Sequence, residues 1–221
     1  MSDFWICIGD IHDEVARLND IPELAQASGV IISGDLTMAK GAPAARRVID
    51  AVAAINPVIY AQIGNMDKPE VTEFLQELGC NIHRTVAELT PSVGVMGVGT
   101  SGITPFNTPS ETPDETLGAW LDETYAQASQ YDATVVVVHD PPFGTKCDDL
   151  GNGVHVGSKA VRAFIEKEQP PLVLCGHIHE ARSVDTIGAT TVINTGMLSA
   201  GGYAKITIEG AAVQAELCIM E

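Results

Sequence analysis

Short apolar runs separated by polar, glycine-containing stretches set the rhythm of the first third of the chain. Phe4 to Ile8, Gly29 to Ile32 and Pro57 to Ile63 have strand length and strand composition. Between the first two, Val15, Leu18, Leu24 and Ala25 recur at near-helical spacing, which predicts a helix over Asp13 to Ser28. Pro43 stands where a first helical turn tolerates proline, ahead of Ala44 to Ala54, and Pro69 opens a further helix to Leu78. This βαβαβα order implies parallel strands joined by right-handed crossovers.

From Asn81 the elements shorten. Val86 to Leu89 and Val93 to Val98 read as strands, followed by a polar connection, Gly99 to Pro113, and a helix over about Asp114 to Gln130. Val135 to Val138 and Leu172 to Cys175 are again apolar runs. A Gly- and Asp-rich loop, Asp140 to Gly157, lies between them, with a helix capped by Ser158 that carries Val161, Phe164 and Ile165 on one face. The tail reads as a β-meander of Ala181 to Ile187, Thr190 to Asn194, Tyr203 to Ile208 and Ala212 to Ile219. No repeat or linker divides residues 1–221, so one domain is expected. The loops Thr100–Thr112 and Asp140–Gly157 are of a length that is usually functional or disordered.

Five of the apolar runs end in residues that bind metals: Gly9-Asp10-Ile11-His12, Gly34-Asp35, Gly64-Asn65-Met66-Asp67, Val138-His139 and Gly176-His177-Ile178-His179. If those strands lie side by side, the polar residues converge at one edge. In an extended chain, alternate side chains share a face, so Asp10 with His12 and His177 with His179 would each aim at one point. The candidate ligands are Asp10, His12, Asp35, Asn65, His139, His177 and His179. Their mixed oxygen and imidazole donors favour Mn, Fe, Zn or Co over Mg or Ca. Seven donors are too many for one ion that keeps an open position. Two ions sharing a carboxylate, about 3.5 to 4 Å apart, fit better and suit hydrolysis of phosphate esters.

Composition narrows the partners. The 221 residues, 45% hydrophobic, suffice for one core without disulfides. A formal net charge of -17 repels polyanions, and no Lys or Arg run offsets it, so neither long nucleic acid nor an anionic membrane is an expected partner. The N-terminal apolar stretch is too short for a signal peptide, and no segment approaches the roughly 18 to 20 apolar residues of a membrane span. A cytoplasmic location follows as the expectation. Cys7, Cys80, Cys147, Cys175 and Cys218 lack metal-type spacing and read as reduced thiols, with Cys7, Cys175 and Cys218 in strand cores.

The order Asp-x-His, Gly-Asp, Gly-Asn, His, Gly-His-x-His resembles the calcineurin-like metallophosphoesterase superfamily from Gly9 to His179. It is most similar to compact single-domain bacterial and archaeal members, whose pattern Thr104-Pro105-Phe106-Asn107-Thr108-Pro109 and His139-Asp140-Pro141-Pro142 also resemble. The resemblance implies a four-layer α-β-β-α sandwich of two mixed β-sheets flanked by helices. It also implies two divalent ions, manganese first and iron, zinc or cobalt as alternatives. One would take Asp10, His12, Asp35 and His179, the other Asp35, Asn65, His139 and His177. Asp35 would then bridge the ions beside a bridging hydroxide that attacks phosphorus, with Asp35, Asn65 and His139 central to catalysis.

Many members carry Gly-Asn-His where this chain has Gly64-Asn65-Met66, and a thioether has no proton to give. That departure implies a phosphodiesterase for a small or nucleotide substrate, or for good leaving groups, with a phosphomonoesterase or nucleotide phosphatase as the alternative. A DNA exonuclease fits poorly with the net charge and the short chain. A non-catalytic scaffold, as in the retromer subunit of this superfamily, would have lost ligands that are all present here. Of the arginines, only Arg182 follows a metal motif closely, which disfavours phosphoprotein substrates. Asp67 is expected to orient Asn65 or His12. Asp148, His155, Thr100, Ser101 and Asn107 stand between pocket and plain loop roles, Asn194-Thr195-Gly196 is a candidate support near His179, and Glu180 is expected to face the surface. The sequence leaves room for a homodimer.

Overall fold

The computed structural model describes residues 3–151 and 153–220; the chain ends and residue 152, which the one-domain and loop expectations include, lie outside the described residues. In chain order the elements are β1 (Asp3–Ile8), β2 (Gly29–Ile32), α1 (Ala42–Ala53), β3 (Ile59–Ala61), α2 (Glu70–Glu77), β4 (Val86–Thr90), β5 (Val93–Val98), α3 (Asp114–Ala126), β6 (Ala133–Val138), α4 (Lys159–Glu168), β7 (Leu172–Cys175), β8 (Ser183–Ile187), β9 (Thr190–Asn194), β10 (Gly202–Glu209) and β11 (Ala212–Ile219). They build two mixed sheets, ordered β11-β10-β1-β2-β3 and β4-β5-β6-β7-β9-β8. In the first, β1, β2 and β3 are parallel and the β10/β11 hairpin is antiparallel to β1. In the second, β5, β6, β7 and β9 are parallel, while β4 and β8 are antiparallel edges.

The apolar runs of the central strands are continuous because both of their faces are buried, whereas the edge strands β8 and β11 alternate with exposed positions. Along β1, Trp5 and Cys7 enter the layer between the sheets, whereas Ile6 and Ile8 face the other way. The same alternation separates Val135 and Val137 from Val136 and Val138 on β6, and Leu172 and Leu174 from Val173 and Cys175 on β7. Helices α1 and α2 cover the outer face of the first sheet with Val48, Val52, Val71 and Phe74. Helices α3 and α4 cover the second with Leu117, Leu121, Val161 and Phe164. Three apolar layers thus separate four structural ones, the α-β-β-α sandwich.

Three local expectations need correction. The stretch 13–28 is not an α-helix but two 3-10 turns, Ala16–Asp20 and Leu24–Gln26. Pro22 disfavours helical backbone at the residue before it, and Ile21 is extended with ψ 111°. The helix after Asp114 ends at Ala126, and the chain continues in tighter turns in which Gln127 N–H donates to the Thr124 carbonyl. The tail is not one meander: β8/β9 belongs to the second sheet and β10/β11 to the first. The link between them passes under the site, where Leu198 N–H donates to the Gly9 carbonyl at 3.2 Å. All five cysteines are free, with Cys7 and Cys175 buried and Cys218 only partly so.

Candidate metal centre

The parallel strands of both sheets deliver their carboxyl ends to one edge. Asp10 and His12 follow β1, Asp35 follows β2, Asn65 lies beyond β3, His139 directly follows β6, and His177 and His179 follow β7. All seven predicted residues come together there. They do not converge through extended backbone, as alternation suggested. Asp10 (φ 47°), His12 (φ 48°), Asp35 (φ 51°) and His177 (φ 67°) all lie in the left-handed region. Such backbone is costly for residues with a Cβ and clusters at functional sites. Loop-to-loop hydrogen bonds hold it: Asp10 N–H donates to the Gly34 carbonyl at 3.1 Å, and Ile11 and His12 N–H both donate to the Asp35 carbonyl at 2.9 and 3.0 Å. Gly176 permits the close approach of its loop to Asp10, since a Cβ there would sit 2.4 Å from Asp10 Oδ2. His177 N–H donates to both Asp10 oxygens at 3.2 Å.

Two clusters of donor atoms result. In one, Asp10, His12 and His179 present ligand atoms within 4.8 Å of one another; in the other, Asp10, Asp35 and His139 do so. His12 Nε2 and His179 Nε2 face each other at 3.2 Å. Asp35 Oδ2 lies 3.6 Å from His12 Nε2 and 3.4 Å from His139 Nε2. Asn65 Oδ1 lies 3.1 Å from His139 Nε2 and 2.8 Å from His177 Nδ1. The His139 tautomer is set from behind: the Ser33 carbonyl, 3.2 Å from Nδ1, only accepts, so Nδ1 donates and Nε2 is left for the site.

The electrostatics show a buried pocket short of positive charge. Burial opposes ionisation of Asp35, yet His139, His12 and the Met66 amide hold its carboxyl below the ordinary range. Burial also works against a charged His139, but Asp35, Asp10 and Asp140 pull it up to about 9. The neighbouring His177 is pushed down to about 4, first by burial and then by the charge on His139. Two buried carboxylates draw a proton onto His139, while burial and that charge keep His177 neutral, and the uncompensated negative charge creates a demand for cations. Converging imidazole and carboxylate lone pairs meet that demand with divalent metals, so the residues present fit the group.

Residues around the donors fix their positions. Asn65 Nδ2 donates to Thr108 Oγ1 at 3.0 Å, which turns Oδ1 toward the histidines. Thr108 Oγ1 donates in turn to Glu111 at 2.8 Å. Sequence reading missed both residues. Asp67 supports Asn65 through the backbone and makes no bond to His12: its carboxylate accepts from the Leu36, Thr37 and Gly64 amides, tying the Asp35 loop to the Asn65 loop. Asn194 does support the last motif, as Nδ2 donates to the Gly176 and Ile178 carbonyls at 3.3 and 2.9 Å. Asp148 is buried and ties its own loop through Gly144, Thr145, Gly157 and His155. Thr100 and Ser101 are also buried within their loop. Arg182 donates to the Ala200 carbonyl.

Five of the donors, His12, Asp35, Asn65, His177 and His179, form the floor of a cavity of about 760 Å³, with Asp10 and His139 buried. Its walls include Ala39, Met66, Phe106, Asn107, Pro109 and Leu150, with Ile178 and Glu180 on the far side. Glu180 is exposed, as expected, and also borders the cavity, because His179–Ala181 is a 3-10 turn and not an extended strand.

Two mixed sheets with this donor set at their shared edge define the class of metal-dependent phosphoester hydrolases. The chain matches the model of the calcineurin-like phosphoesterase family over residues 6–181, and it belongs to that family. An uncharacterized protein of Methanocaldococcus jannaschii is 34% identical over 197 residues, spanning 85% of each chain. The crystal structure of TT1561 from Thermus thermophilus is similar with a TM-score of 0.72 and 19% identity, over 98% of this chain and 99% of that one. That of the 5′-nucleotidase from Candida albicans has a TM-score of 0.58 and 12% identity, over 99% of this chain and 51% of that one. At such identities the structural likeness is one of fold. Among the described residues no helix is long and apolar enough to cross a membrane.

Proposed function

We propose that this protein is a cytoplasmic dinuclear phosphodiesterase acting on a small or nucleotide phosphoester. The observation that carries the reading is the position of Asp35, whose Oδ2 stands between His12 and His139 at 3.6 and 3.4 Å. One ion would be held by Asp10, His12, Asp35 and His179 and the other by Asp35, Asn65, His139 and His177. When bound, such a pair supplies a hydroxide near neutral pH and draws charge from the phosphoryl oxygens. Asp10 and Asp35 contribute two negative charges against four positive ones, because Asn65 is neutral, so the floor attracts an anion. Manganese is the first choice of metal.

The chain's own part is to orient and to shape. Asn65, turned by Thr108, and His139, turned by Ser33, keep their donor atoms aimed inward before any ligand arrives. In hydrolysis a P–O bond forms to the oxygen of water, the ester P–O bond breaks, and the departing oxygen ends with a proton. Met66 lines the wall at this point and has no proton to give. A diester, or an ester with a good leaving group, is therefore favoured over an alkyl monoester.

The test is metal analysis followed by turnover of bis-p-nitrophenyl phosphate and p-nitrophenyl phosphate by Mn-loaded protein. Two equivalents of metal and faster diester hydrolysis are expected, with the Asn65→Ala variant slower by at least about 100-fold. Preference for the monoester would replace the diester reading with a phosphomonoesterase. Equal turnover by Asn65→Ala would remove the dinuclear reading.

A further inference from the structure

The cavity is divided in character. Its floor is the donor cluster, whereas its upper walls are Met66, Phe106, Pro109, Leu150 and Ile178. No Lys or Arg is among the described residues lining it, and Glu180 adds a carboxylate at the rim. A substrate with several phosphates would find no counter-charge beyond the floor. A substrate with one phosphate and a planar apolar remainder would meet complementary surface at both ends.

Phe106 is the residue on which that remainder would rest. It is 81% exposed, although it belongs to a loop that is tightly held. Phe106 N–H donates to Thr104 Oγ1 at 3.1 Å, and Thr104 and Thr108 both donate to Glu111 Oε1. Thr108 accepts from Asn65, Ser110 N–H donates to the Asn65 carbonyl at 2.9 Å, and Ser110 Oγ donates to the Asp67 carbonyl at 2.6 Å. The loop is thus fastened to the Asn65 motif at several points. These bonds hold the backbone that carries Phe106 and leave its ring open beside the donors, as a face on which a planar ring can stack.

We infer that Phe106 is a stacking platform for a planar heteroaromatic base, and that the substrate is a nucleoside carrying a single phosphodiester. The Phe106 backbone is tied to the donor Asn65 through Thr104, Glu111 and Thr108, so a base on its ring and a phosphate on the floor are recognised together. Asn107 and Glu180 border the same space and offer hydrogen-bonding groups to the edge of the base. The inference rests on the phosphodiesterase reading above and names its substrate class.

Two esters with the same five-membered cyclic phosphate separate the ideas: adenosine 2′,3′-cyclic phosphate, which has a base, and glycerol 1,2-cyclic phosphate, which has none. Mn-loaded wild type is expected to favour the nucleoside in kcat/KM by about tenfold or more. Phe106→Ala should lower that ratio about tenfold, mainly through KM for the nucleoside, and Phe106→Trp should keep it. Equal kcat/KM for both esters in wild type, or a ratio unmoved by Phe106→Ala, would overturn the platform and leave the phosphodiesterase reading intact. A changed elution volume of Phe106→Ala with the ratio preserved would assign the ring to an interface and overturn it equally. No hydrolysis of either ester or of bis-p-nitrophenyl phosphate would defeat the phosphodiesterase reading, and the platform with it.

Discussion

His12 and His179 face each other Nε2 to Nε2 at 3.2 Å, and His179 Nε2 lies only 3.3 Å from Asp10 Oδ1. Two imidazole nitrogens with lone pairs aimed at one point need a proton or a metal between them. Metal binds the folded arrangement and not the dispersed ligands of the unfolded chain, so it should stabilise by mass action. At a hundredfold excess over Kd the gain is about 2.7 kcal/mol, which for a chain of this size raises Tm by roughly 5 to 10 °C. Differential scanning calorimetry with and without Mn checks it, with a chelator reversing the shift. His179→Ala should bind one equivalent less by elemental analysis and lose much of the shift. A wild-type Tm indifferent to Mn, Zn and Co would rule the centre out.

Asp67 is the knot behind that centre. Its oxygens accept from Leu36 N–H at 3.0 Å, Gly64 N–H at 3.0 Å, Thr37 N–H at 2.8 Å and Thr37 Oγ1 at 2.8 Å. Asp67→Asn places an NH₂ where one of these donors points, leaving buried groups opposed. The cost should be about 1 to 3 kcal/mol in urea unfolding, with metal affinity lower by about 10- to 100-fold. Unfolding curves that overlay the wild type would show that the carboxylate does not join the two loops.

The strands and the seven donors were legible because each rests on a local signal: a buried strand is a short apolar run, and its end is a Gly followed by a polar residue. What was illegible is set by partners far along the chain. Alternation marks 203–208 and 190–194 equally as strands, but nothing local says that the first pairs with β1 and the second with β7. The bond that Asn65 donates to Thr108 spans 43 residues, and Phe106 looks like any loop residue until that link holds its loop beside the donors. The left-handed backbone of Asp10, His12, Asp35 and His177 defied the sequence for a different reason. Propensity disfavours it, and only the surrounding loop bonds enforce it. Pro22 is a local signal against a helix through 13–28, because it disfavours helical backbone at Ile21.

Gly64 is a spacing requirement rather than a flexible joint. A Cβ added there would stand 2.1 Å from Asp35 Oδ1 and 2.5 Å from the Asp35 amide nitrogen. Asp35 would have to withdraw, and with it the bond that Met66 N–H donates to Oδ1 at 2.7 Å. Gly64→Ala should therefore cost about 1 to 3 kcal/mol by overpacking. Turnover of bis-p-nitrophenyl phosphate should fall by about 100-fold, because Asp35 belongs to both of the proposed ion sets. Full metal content in this variant would show that Asp35 tolerates displacement.

Stability should also fall in mild acid through a residue remote from the metals. His83 packs edge-on against Trp120 with ring centroids 5.5 Å apart, and its Nδ1 accepts from Gly99 N–H at 2.9 Å. Burial, and then the charge of Arg84, pushes its pKa from 6.5 down to about 4. In the unfolded chain the ring takes up a proton near pH 6.5, while the folded protein refuses it until about pH 4. The contribution of neutral His83 is thus complete above about pH 6.5 and drains away as pH falls toward 4, by on the order of 1 to 2 kcal/mol after discounting for partial exposure. His83→Asn keeps an acceptor for Gly99 but does not titrate. In chelator-treated protein the donor histidines titrate alike in both proteins, so the difference between them isolates this one ring. Wild type should lose more unfolding free energy than His83→Asn between pH 7.5 and 4.5, and parallel pH profiles for the two would show that His83 carries no such linkage.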